Sequence, residues 1–414
     1  MNPSFDHIVF LSCNWSKWGR RHRHHQMFLS MARVEKNSKI LCVQRPLCSI
    51  TSIFHRRGEM IDWCVKKNRL ICPLPNLFVY QPITLLHDHL SQYIPGINRL
   101  NRKMLSRQLS AVINDLGMKQ SNLIVWISDP IQEDYMGLMN ERICIYDCYD
   151  DYFAYSDHNS LRNITRLMLQ EERILKRADI VFVVSEELHN KKLKFNKNVY
   201  TVSNAADVAL LSKASDPSTP IHLAISKISH PIIGMIGNLN QRVDFDLLKY
   251  IAVSHSEWSV VIVGDWHGAD LKLVKSDLIK QLKNMPNVYW LGHQCFDELP
   301  KILKGFDVCI IPYAAEDPFN ISCSPLKMYE YLAAGKPIVS TDLPSVRHEL
   351  ELIRTGRFYP KFVREITAAL DEKDDILKEK RIEMARRNSW DVRVGEIISI
   401  IEEEVRRKKN GLKA

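Results

Sequence analysis

Short runs of apolar residues recur along the chain, and most are followed by a segment whose apolar positions have helical spacing. In the first half, the runs predicted as buried strands are His7–Cys13, Ile40–Gln44, Leu123–Ile127, Ile143–Asp147 and Ile180–Ser185. Two intervening segments, Arg99–Leu116 and Leu161–Ala178, are predicted helices. Because nearly continuous apolar strands must be covered on both faces, this alternation predicts a parallel sheet with helices on both sides.

The pattern weakens over Asp216–His230, where Pro217 and Pro220 interrupt it, and this stretch is predicted to be a linker. The alternation then restarts, and a last helix is predicted from Trp390 to about Lys408. The predicted strands of this second half are Ile232–Gly237, Val260–Gly264, Val288–Gly292, Val308–Pro312 and Pro337–Thr341, and the predicted helices are Asp244–Ser254, Lys272–Lys283, Asp297–Phe306 and Leu326–Ala334. Two successive doubly wound units predict a cleft between them, at the carboxyl ends of both sets of strands.

Composition agrees with two globular domains and shows where the charge lies. The chain has 414 residues, of which 45% are hydrophobic and 25% charged, and this mixture excludes disordered, collagen-like and coiled-coil chains. The formal net charge is +9. Residues 1–120 contain 18 Lys or Arg against 6 Asp or Glu, whereas residues 207–414 contain 29 of each kind. An anionic partner is therefore expected to meet the N-terminal half.

The cysteines and the lengths of the apolar runs indicate the cellular compartment of the protein. Ten cysteines occur without a CxxC pair, and several lie inside apolar runs, which is typical of buried reduced thiols in a cytosolic protein. The early apolar stretch is too short for a signal peptide, and no run approaches the roughly 18 apolar residues of a membrane span. We expect a soluble or peripheral protein.

The segment Ser322–Thr341 carries the most informative combination of residues. Pro325 is placed to start a helix, and Gly335 is placed to end it before the next strand. Lys327 and Glu330 then share one face near the helix N-terminus. That end attracts a phosphate, the lysine adds positive charge, and a carboxylate accepts two hydrogen bonds from a ribose diol. An exposed ion pair would show the same spacing, so this alternative stays open.

Two glycine-bearing turns follow predicted strands of the second half. Gly234 and Gly237 end one strand and would let the backbone approach a pyrophosphate, after which Asp244 caps the next helix. Gly264-Asp265 follows the next strand and either lines a base or sugar or forms a plain turn.

Carboxylates and cations follow strands of the first half. In Asp147–Tyr155, we predict Asp150 as a general base, with Asp151 as second choice, although both could simply cap a helix. The arginines Arg20, Arg21 and Arg23, with Trp15 nearby, suit a phosphate-bearing or membrane-embedded acceptor. The neighbouring histidines have no Cys or carboxylate at ligand spacing, and no nucleic-acid-binding motif occurs, so neither a metal nor nucleic acid is predicted as a partner.

Several of these stretches together resemble a known family. Ser322–Thr341 resembles the nucleotide-sugar site of GT-B glycosyltransferases of the glycosyltransferase-4 type. It is most like their teichuronic-acid-biosynthesis-like bacterial branch, where S-P-x-K-x-x-E-Y-x-A-x-G-x-P-V-V is characteristic. Further similar stretches occur in the family's order, namely Ser203–Asp207, Ile233–Leu248, Val288–Leu299 and Ser389–Asp391.

The resemblance implies a GT-B fold, in the α/β class, with two Rossmann-like doubly wound domains facing a cleft. The implied boundaries are residues 1–205 for the acceptor-side domain and 206–388 for the nucleotide-sugar-binding domain. A C-terminal helix over 389–414 would cross back to pack on the first domain. The implied function is transfer of a sugar from a nucleotide diphosphate-sugar to a glycan or lipid-linked acceptor in surface polysaccharide biosynthesis.

The resemblance also implies a donor site, with Glu330 on the ribose, Lys327 and Arg242 on the diphosphate, and the Leu291–His293 backbone near the base. The full implied set is Gly237, Asn238, Arg242, Gly264, Asp265, Leu291, His293, Ser324, Pro325, Leu326, Lys327 and Glu330. No cofactor or metal is implied beyond the donor substrate. The acceptor would be a glycan or a polyprenyl-pyrophosphate-linked sugar, reached by a cytoplasmic protein held peripherally at the anionic inner face of the cell membrane.

Three positions depart from the family pattern. The family site has two glutamates eight residues apart, and here Ser322 occupies the first position. Asn238 and Val243 stand where the phosphate loop usually has Arg and Lys, so Arg242 is expected to supply the charge.

Two other functions remain open. One is a GT-B nucleotide-sugar 2-epimerase, which would need further acid and base carboxylates and a more acidic first domain, against the positive excess of residues 1–120. The other is a non-catalytic GT-B scaffold, which the departure at Ser322 suggests.

Overall fold

The protein is described by a computed structural model covering residues 5–15, 22–49, 69–154, 161–265, 276–373 and 375–411. The chain divides into two compact units. The first comprises residues 1–202 together with 394–414, and the second comprises residues 203–393.

The first unit is built on an eight-stranded sheet with the order β10-β9-β8-β7-β1-β2-β5-β4. All neighbours run parallel except β4, which pairs antiparallel with β5. The strands of this unit are β1 Asp6–Phe10, β2 Ile40–Val43, β3 Leu47–Cys48, β4 Leu70–Leu74, β5 Leu77–Tyr80, β6 Ile83–Thr84, β7 Leu123–Ile127, β8 Ile143–Cys148, β9 Ile180–Val183 and β10 Val199–Thr201. The five predicted strands are confirmed, and all of their sheet residues are buried.

Helices cover this sheet through their apolar sides. On α3, for example, Leu105, Leu109 and Ile113 are buried in the core against the strands. The helices of the first unit are α1 Arg23–Val34, α2 Asp88–Ser91, α3 Pro95–Asp115, α4 Leu161–Arg177 and α5 Glu186–Lys192, with 3-10 turns at Gln120–Asn122 and Pro130–Tyr135.

The second unit contains a six-stranded, fully parallel sheet with the order β13-β12-β11-β14-β15-β16. The order reverses between β11 and β14, and ligands of doubly wound folds bind at the carboxyl ends of strands beside such a reversal. The strands are β11 Ile232–Ile236, β12 Ser259–Val263, β13 Val288–Gly292, β14 Val308–Ile311, β15 Ile338–Thr341 and β16 Ile353–Gly356. The five strands predicted for this half are confirmed, and β16 is an additional edge strand.

The last helix of the chain begins in this unit and ends in the first. The helices of the second unit follow the predicted ones closely. They are α6 Val208–Leu211, α7 Phe245–Ser254, α8 Ser276–Lys283, α9 Leu299–Lys304, α10 Pro318–Ser322, α11 Leu326–Ala333, α12 Tyr359–Leu370, α13 Asp375–Arg387 and α14 Trp390–Lys409, with 3-10 turns at Ser212–Ser215, Phe296–Glu298 and Pro344–Glu349.

The prediction that Asp216–His230 is a linker between the two domains is wrong. The segment has no helix or strand, but it belongs to the second unit, and Ile225 within it is fully buried. A Cβ atom built on Gly305 would lie 2.3 Å from Ile225, so the segment packs directly on the turn after α9.

Two further observations concern cysteines and membrane spans. The nine cysteines in the described ranges are free thiols, and six of them are buried. Across those same ranges, no helix has the length and apolar character needed to cross a membrane.

Candidate functional site

Glycine turns after β11, β12 and β13 pack backbone against backbone. Gly237 donates its N–H to Val263 O at 2.9 Å, and Gly264 donates to Gly292 O at 2.9 Å. Gly237 and Gly264 have φ values of 138° and 145°, which favour glycine. A Cβ atom at Gly264 would lie 1.9 Å from Gly237 O, so no other residue fits there without displacing the turn.

Helix α11 is fixed to the end of β11 and to the start of the second unit. Ile236 donates its N–H to the Tyr331 hydroxyl at 2.8 Å, and Tyr331 is fully buried. Asn204 donates its side-chain amide to Ser324 O at 2.6 Å. Pro325 is the N-cap of the helix, and its carbonyl accepts the Met328 N–H at 3.1 Å. The N–H groups of Leu326 and Lys327 precede the first helical hydrogen bonds and have no partner within the helix. Gly335, with φ of 67°, follows the C-cap as predicted.

Lys327 extends from the first turn of α11 onto the glycine turn after β11. A Cβ atom built on Gly237 would lie 2.9 Å from its Nζ atom. Lys327 is only 6% exposed, and within the described residues its ammonium makes no hydrogen bond. The Nζ atom lies 4.4 Å from the centre of the Tyr313 ring. A buried charge with so little compensation is costly, which indicates a site for an anion.

Arg242 brings a second cation to the same aromatic ring. Its guanidinium carbon lies 4.7 Å from the centre of the Tyr313 ring and 4.4 Å from that of Phe319. Its Nε donates to Asn320 Oδ1 at 2.9 Å, and Asn320 in turn donates to Arg242 O at 3.0 Å. Val243, at the position where the family usually has a lysine, is apolar and fully buried. Arg242 is the one Lys or Arg among residues 237–243.

The remaining predicted donor residues lie around the same strand ends. Glu330 is buried like Lys327, so the alternative of an exposed ion pair between them is wrong. His293 and Asp265 pair at 2.8 Å between Nδ1 and Oδ2, and both are well exposed. Asn238 and Leu291 are half-buried next to the turns. The neighbours Trp266 and His267 lie outside the described residues.

Together, these elements form an anion-binding arrangement inside the second unit. Two cations, the N-terminus of α11 and a glycine turn meet beside the strand-order reversal between β11 and β14. This combination can neutralise a pyrophosphate through fixed charges and backbone N–H groups.

Tyr313 and Asn320 belong to this arrangement and were missed in the sequence. Tyr313 directly follows β14 and Pro312, and Asn320 lies in α10 with no exposed surface. The available signal for Tyr313 was its position, because it is an aromatic residue at the carboxyl end of the strand across the order reversal. Asn320 carried no signal, because its partner Arg242 is 78 residues away.

In the first unit, Arg23 is placed differently from the predicted acceptor surface. Its guanidinium is buried and donates to both oxygens of Asp147, at 3.1 and 3.2 Å. His24 donates to Asp147 at 2.9 Å. Burial alone would raise the pKa of Asp147, but Arg23 and His24 outweigh it and lower that pKa to about 2. Arg23 therefore joins α1 to the end of β8 and does not contribute to an exposed basic surface.

The other predicted acceptor residues are only partly described. Arg20 and Arg21 lie outside the described residues. Trp15 is buried, donates its backbone N–H to Gln44 at 2.8 Å and stacks on His25 with ring centres 3.7 Å apart.

The two candidate bases differ in their environments. Asp151 is buried and pairs with Lys191 at 3.0 Å. Burial acts to raise its pKa, but the hydrogen bond and charge of Lys191 prevail, and the pKa is lowered. Asp151 also accepts the Phe153 N–H at 3.3 Å, so it stabilises the turn after β8 and is a poor base. Asp150 is half-buried at the same strand end.

Residues 230–372 match the family Glycosyl transferases group 1. The chain is 25% identical over 402 residues to TuaH of Bacillus subtilis (strain 168), a protein assigned as a teichuronic acid biosynthesis glycosyltransferase. The match covers 93% of this chain and 94% of that protein.

Solved structures of similar fold cover nearly the whole chain. Sucrose-phosphate synthase from Thermosynechococcus elongatus superposes with a TM-score of 0.69 at 13% identity, covering 96% of this chain and 98% of that one. Anabaena Alr3699/HepE in complex with UDP and glucose gives 0.62 at 15% identity, covering 95% and 99%. These neighbours have the GT-B fold, so the predicted fold class is confirmed.

Proposed function

We propose that this protein is a glycosyltransferase, because residues 230–372 match the family Glycosyl transferases group 1. It transfers a sugar from a nucleotide diphosphate-sugar to a glycan or lipid-linked acceptor in surface polysaccharide biosynthesis. The assignment of the relative TuaH to teichuronic acid biosynthesis supports this role. The structures of HepE with UDP and with UDP-glucose support a nucleotide-sugar donor. The epimerase alternative is not favoured, because the matched family and TuaH are glycosyltransferases.

One observation carries the proposed donor site, namely the buried Lys327 ammonium against the Gly237 turn. In this proposal, Lys327 and Arg242 bind the diphosphate, while the first turn after Pro325 contributes the backbone N–H groups of Leu326 and Lys327. Glu330 accepts hydrogen bonds from the ribose diol, and the backbone around Leu291 contacts the base.

The proposed chemistry depends on charges that the protein itself supplies. As the sugar leaves, negative charge develops on the diphosphate, and two cations with a helix N-terminus stabilise it. We therefore propose that transfer needs no divalent ion. In the first unit, Asp150 removes the proton of the acceptor hydroxyl, because the neighbouring Asp151 is already paired with Lys191.

The proposed location follows from the acceptor. A polyprenyl-pyrophosphate-linked sugar is embedded in the membrane, so its transferase must work at the membrane surface. We propose a cytoplasmic protein that associates peripherally with the inner face of the cell membrane, where the positive excess of residues 1–120 meets anionic lipid.

Nucleotide binding and sugar transfer by two single-site variants test this function. UDP, GDP, ADP and CMP are titrated against the full-length protein, followed by thermal unfolding and calorimetry. Lys327→Met should weaken the preferred nucleoside diphosphate by about 10- to 100-fold, because a charge-assisted contact is lost. Asp150→Asn should bind that nucleotide as the wild type does and yet transfer no sugar.

Lys361→Met is the matched control for the lysine change, since Lys361 is exposed on α12. The donor site is contradicted if no nucleotide stabilises the wild type, or if Lys327→Met binds as tightly as Lys361→Met. Full transfer by Asp150→Asn would reject Asp150 as the base. Donor binding without any donor hydrolysis or transfer by the wild type would favour the scaffold alternative.

A further inference from the structure

Helix α2 and the start of α3 present large apolar side chains to solvent in the first unit. Leu90, Tyr93, Ile94 and Leu100 are each between 44% and 54% exposed. Elsewhere in the described ranges, no stretch of similar length exposes more than two large apolar side chains. Concentrations of exposed apolar surface of this kind mark interaction sites.

Unpaired cations lie directly beside these apolar residues. Arg99, Lys103 and Arg107 recur every four residues on the exposed side of α3, opposite the buried Leu105 and its core neighbours. Within the described part of the chain, none of the three forms an ion pair or hydrogen bond. The four apolar side chains and these three cations are called the α2–α3 surface below.

Acidic groups near this surface are already engaged. Asp88 accepts the Tyr135 hydroxyl at 2.8 Å. Asp134 accepts the Asn98 amide at 2.7 Å and pairs with Arg102 at 3.5 Å. These two carboxylates keep their charge, but Arg99, Arg102, Lys103 and Arg107 outnumber them. The α2–α3 surface is therefore positive as well as apolar, and a partner that complements it must be anionic with an apolar interior.

Specific contacts hold the surface in shape. The Arg166 guanidinium lies 4.4 Å from the centre of the Tyr93 ring and donates to Gln92 O at 2.6 Å, which joins α4 to this segment. Asn101 donates to Leu86 O at 2.7 Å and accepts the Leu85 N–H at 2.9 Å. These contacts fix the backbone of the segment in the conformation that exposes the apolar side chains.

We infer that the α2–α3 surface docks the protein on an anionic membrane. Its apolar side chains enter the boundary between headgroups and acyl chains, and its cations bind the headgroup phosphates. A nucleic acid is a poorer match, because the surface has one aromatic ring and Arg166 already covers it. This inference deepens the proposed function and rests on it, because the protein would dock in order to reach a lipid-linked acceptor.

Vesicle sedimentation of the full-length protein tests the inference. Wild type should sediment with vesicles of phosphatidylcholine and phosphatidylglycerol, be released by salt, and sediment weakly with phosphatidylcholine alone. Replacing Arg99, Lys103 and Arg107 by Gln should lower the partition coefficient by about 100-fold, at about 1 kcal/mol per cation. A Leu90→Ser/Ile94→Ser variant should lower it by about tenfold or more while keeping the salt dependence.

A second triple variant provides the control. Lys361, Arg364 and Lys380 are exposed on the second unit, and their replacement by Gln removes the same charge. This control should sediment like the wild type. Thermal unfolding of every variant checks that the fold is retained.

The inference is overturned if the wild type does not sediment with phosphatidylglycerol vesicles, or if the two triple variants sediment alike. Nucleotide titration of the same samples separates this result from the proposed function. A protein that binds a nucleoside diphosphate but no vesicles overturns the docking surface alone. Vesicle binding through this surface without any nucleotide binding would contradict the proposed donor site alone.

Discussion

Tyr313 is the side chain that both cations of the proposed donor site contact. Lys327 Nζ and the Arg242 guanidinium lie 4.4 and 4.7 Å from its ring centre. The face of an aromatic ring attracts a cation, by about 2 kcal/mol when the contact is desolvated. The ring therefore offsets part of the cost of keeping a lysine buried, and it fixes the position of both charges before a ligand arrives.

We expect the Tyr313→Leu substitution to weaken binding of the preferred nucleoside diphosphate about tenfold, because a leucine fills the space but has no π face. Tyr313→Phe keeps the ring and should bind like the wild type. The measurement is the Kd of that nucleotide by calorimetry, with Tyr329→Phe, elsewhere on α11, as control. Wild-type affinity in Tyr313→Leu would show that the ring does not support the cations. A loss of similar size in Tyr313→Phe would assign the effect to the hydroxyl.

At the scale of elements, Asp147 joins the end of β8 to the beginning of α1. The Arg23 and His24 side chains come from the first turn of α1, and both donate to this one buried carboxylate. An arginine buried without a counter-charge is far more costly than a buried pair. The position of α1 on the sheet therefore depends on the carboxylate being ionised.

We expect Asp147→Asn to lower the free energy of unfolding by about 3–5 kcal/mol at neutral pH, because Arg23 stays buried without its partner. The pKa of Asp147 lies at about 2, below its ordinary value of 3.8. Its contribution is therefore complete above pH 3.8 and is lost as the pH falls towards 2. Urea unfolding of both proteins should give a difference that shrinks over that interval. Asp246→Asn, at an exposed position of α7, should unfold like the wild type. A constant difference from pH 7 down to 2 would contradict the assigned pKa.

The elements that the sequence predicted best are the fully buried strands. Leu123–Ile127 was predicted to the residue because an uninterrupted apolar run is needed when helices cover both faces of a strand. The edge strands β4, β10 and β16 were not predicted. Leu70–Leu74 is largely exposed and contains Pro73, so neither an apolar run nor an alternation marks it.

The candidate site was predictable where neighbours in sequence are neighbours in space. The helical period alone placed Lys327 and Glu330 on one face of α11. The contact of Arg23 with Asp147 joins residues 124 apart, and no local spacing reveals that this arginine is neutralised. For the same reason the sequence indicated the cations of the second unit but not the Tyr313 ring between them.

At the scale of the whole molecule, the positive excess of residues 1–120 has several distinct roles. Arg23 is neutralised inside the first unit, and Lys39 donates to Leu116 O at 2.6 Å, so some of these charges are structural. Arg99, Lys103 and Arg107 are exposed and unpaired within the described residues. Among the described residues, these three cations on the exposed side of α3 are the part of the excess that we propose to meet a partner. Residues 207–414 have no net charge by sequence, and the second unit has cations where the donor is proposed to bind.

The last helix, α14, belongs to both units and extends the core of the first. Trp390 at its start donates its N–H to Ala206 O within the second unit. Ile397 and Ile401 are buried further along, and Lys408 pairs with Asp179 at 2.5 Å in the first unit. Removing apolar volume from the later turns should therefore loosen the first unit and spare the second.

We expect Ile401→Ala to destabilise the first unit by about 2–5 kcal/mol through the cavity it leaves. Hydrogen exchange read by mass spectrometry should show faster exchange in β8 and β9. Exchange in β11 and β12 and the affinity for the preferred nucleoside diphosphate should be unchanged. Ser399→Ala, at an exposed position of the same helix, should exchange like the wild type. Because alanine is a good helix former at both positions, the comparison isolates lost packing from any change in helix propensity. Faster exchange throughout both units would instead mean that α14 couples their unfolding into one transition.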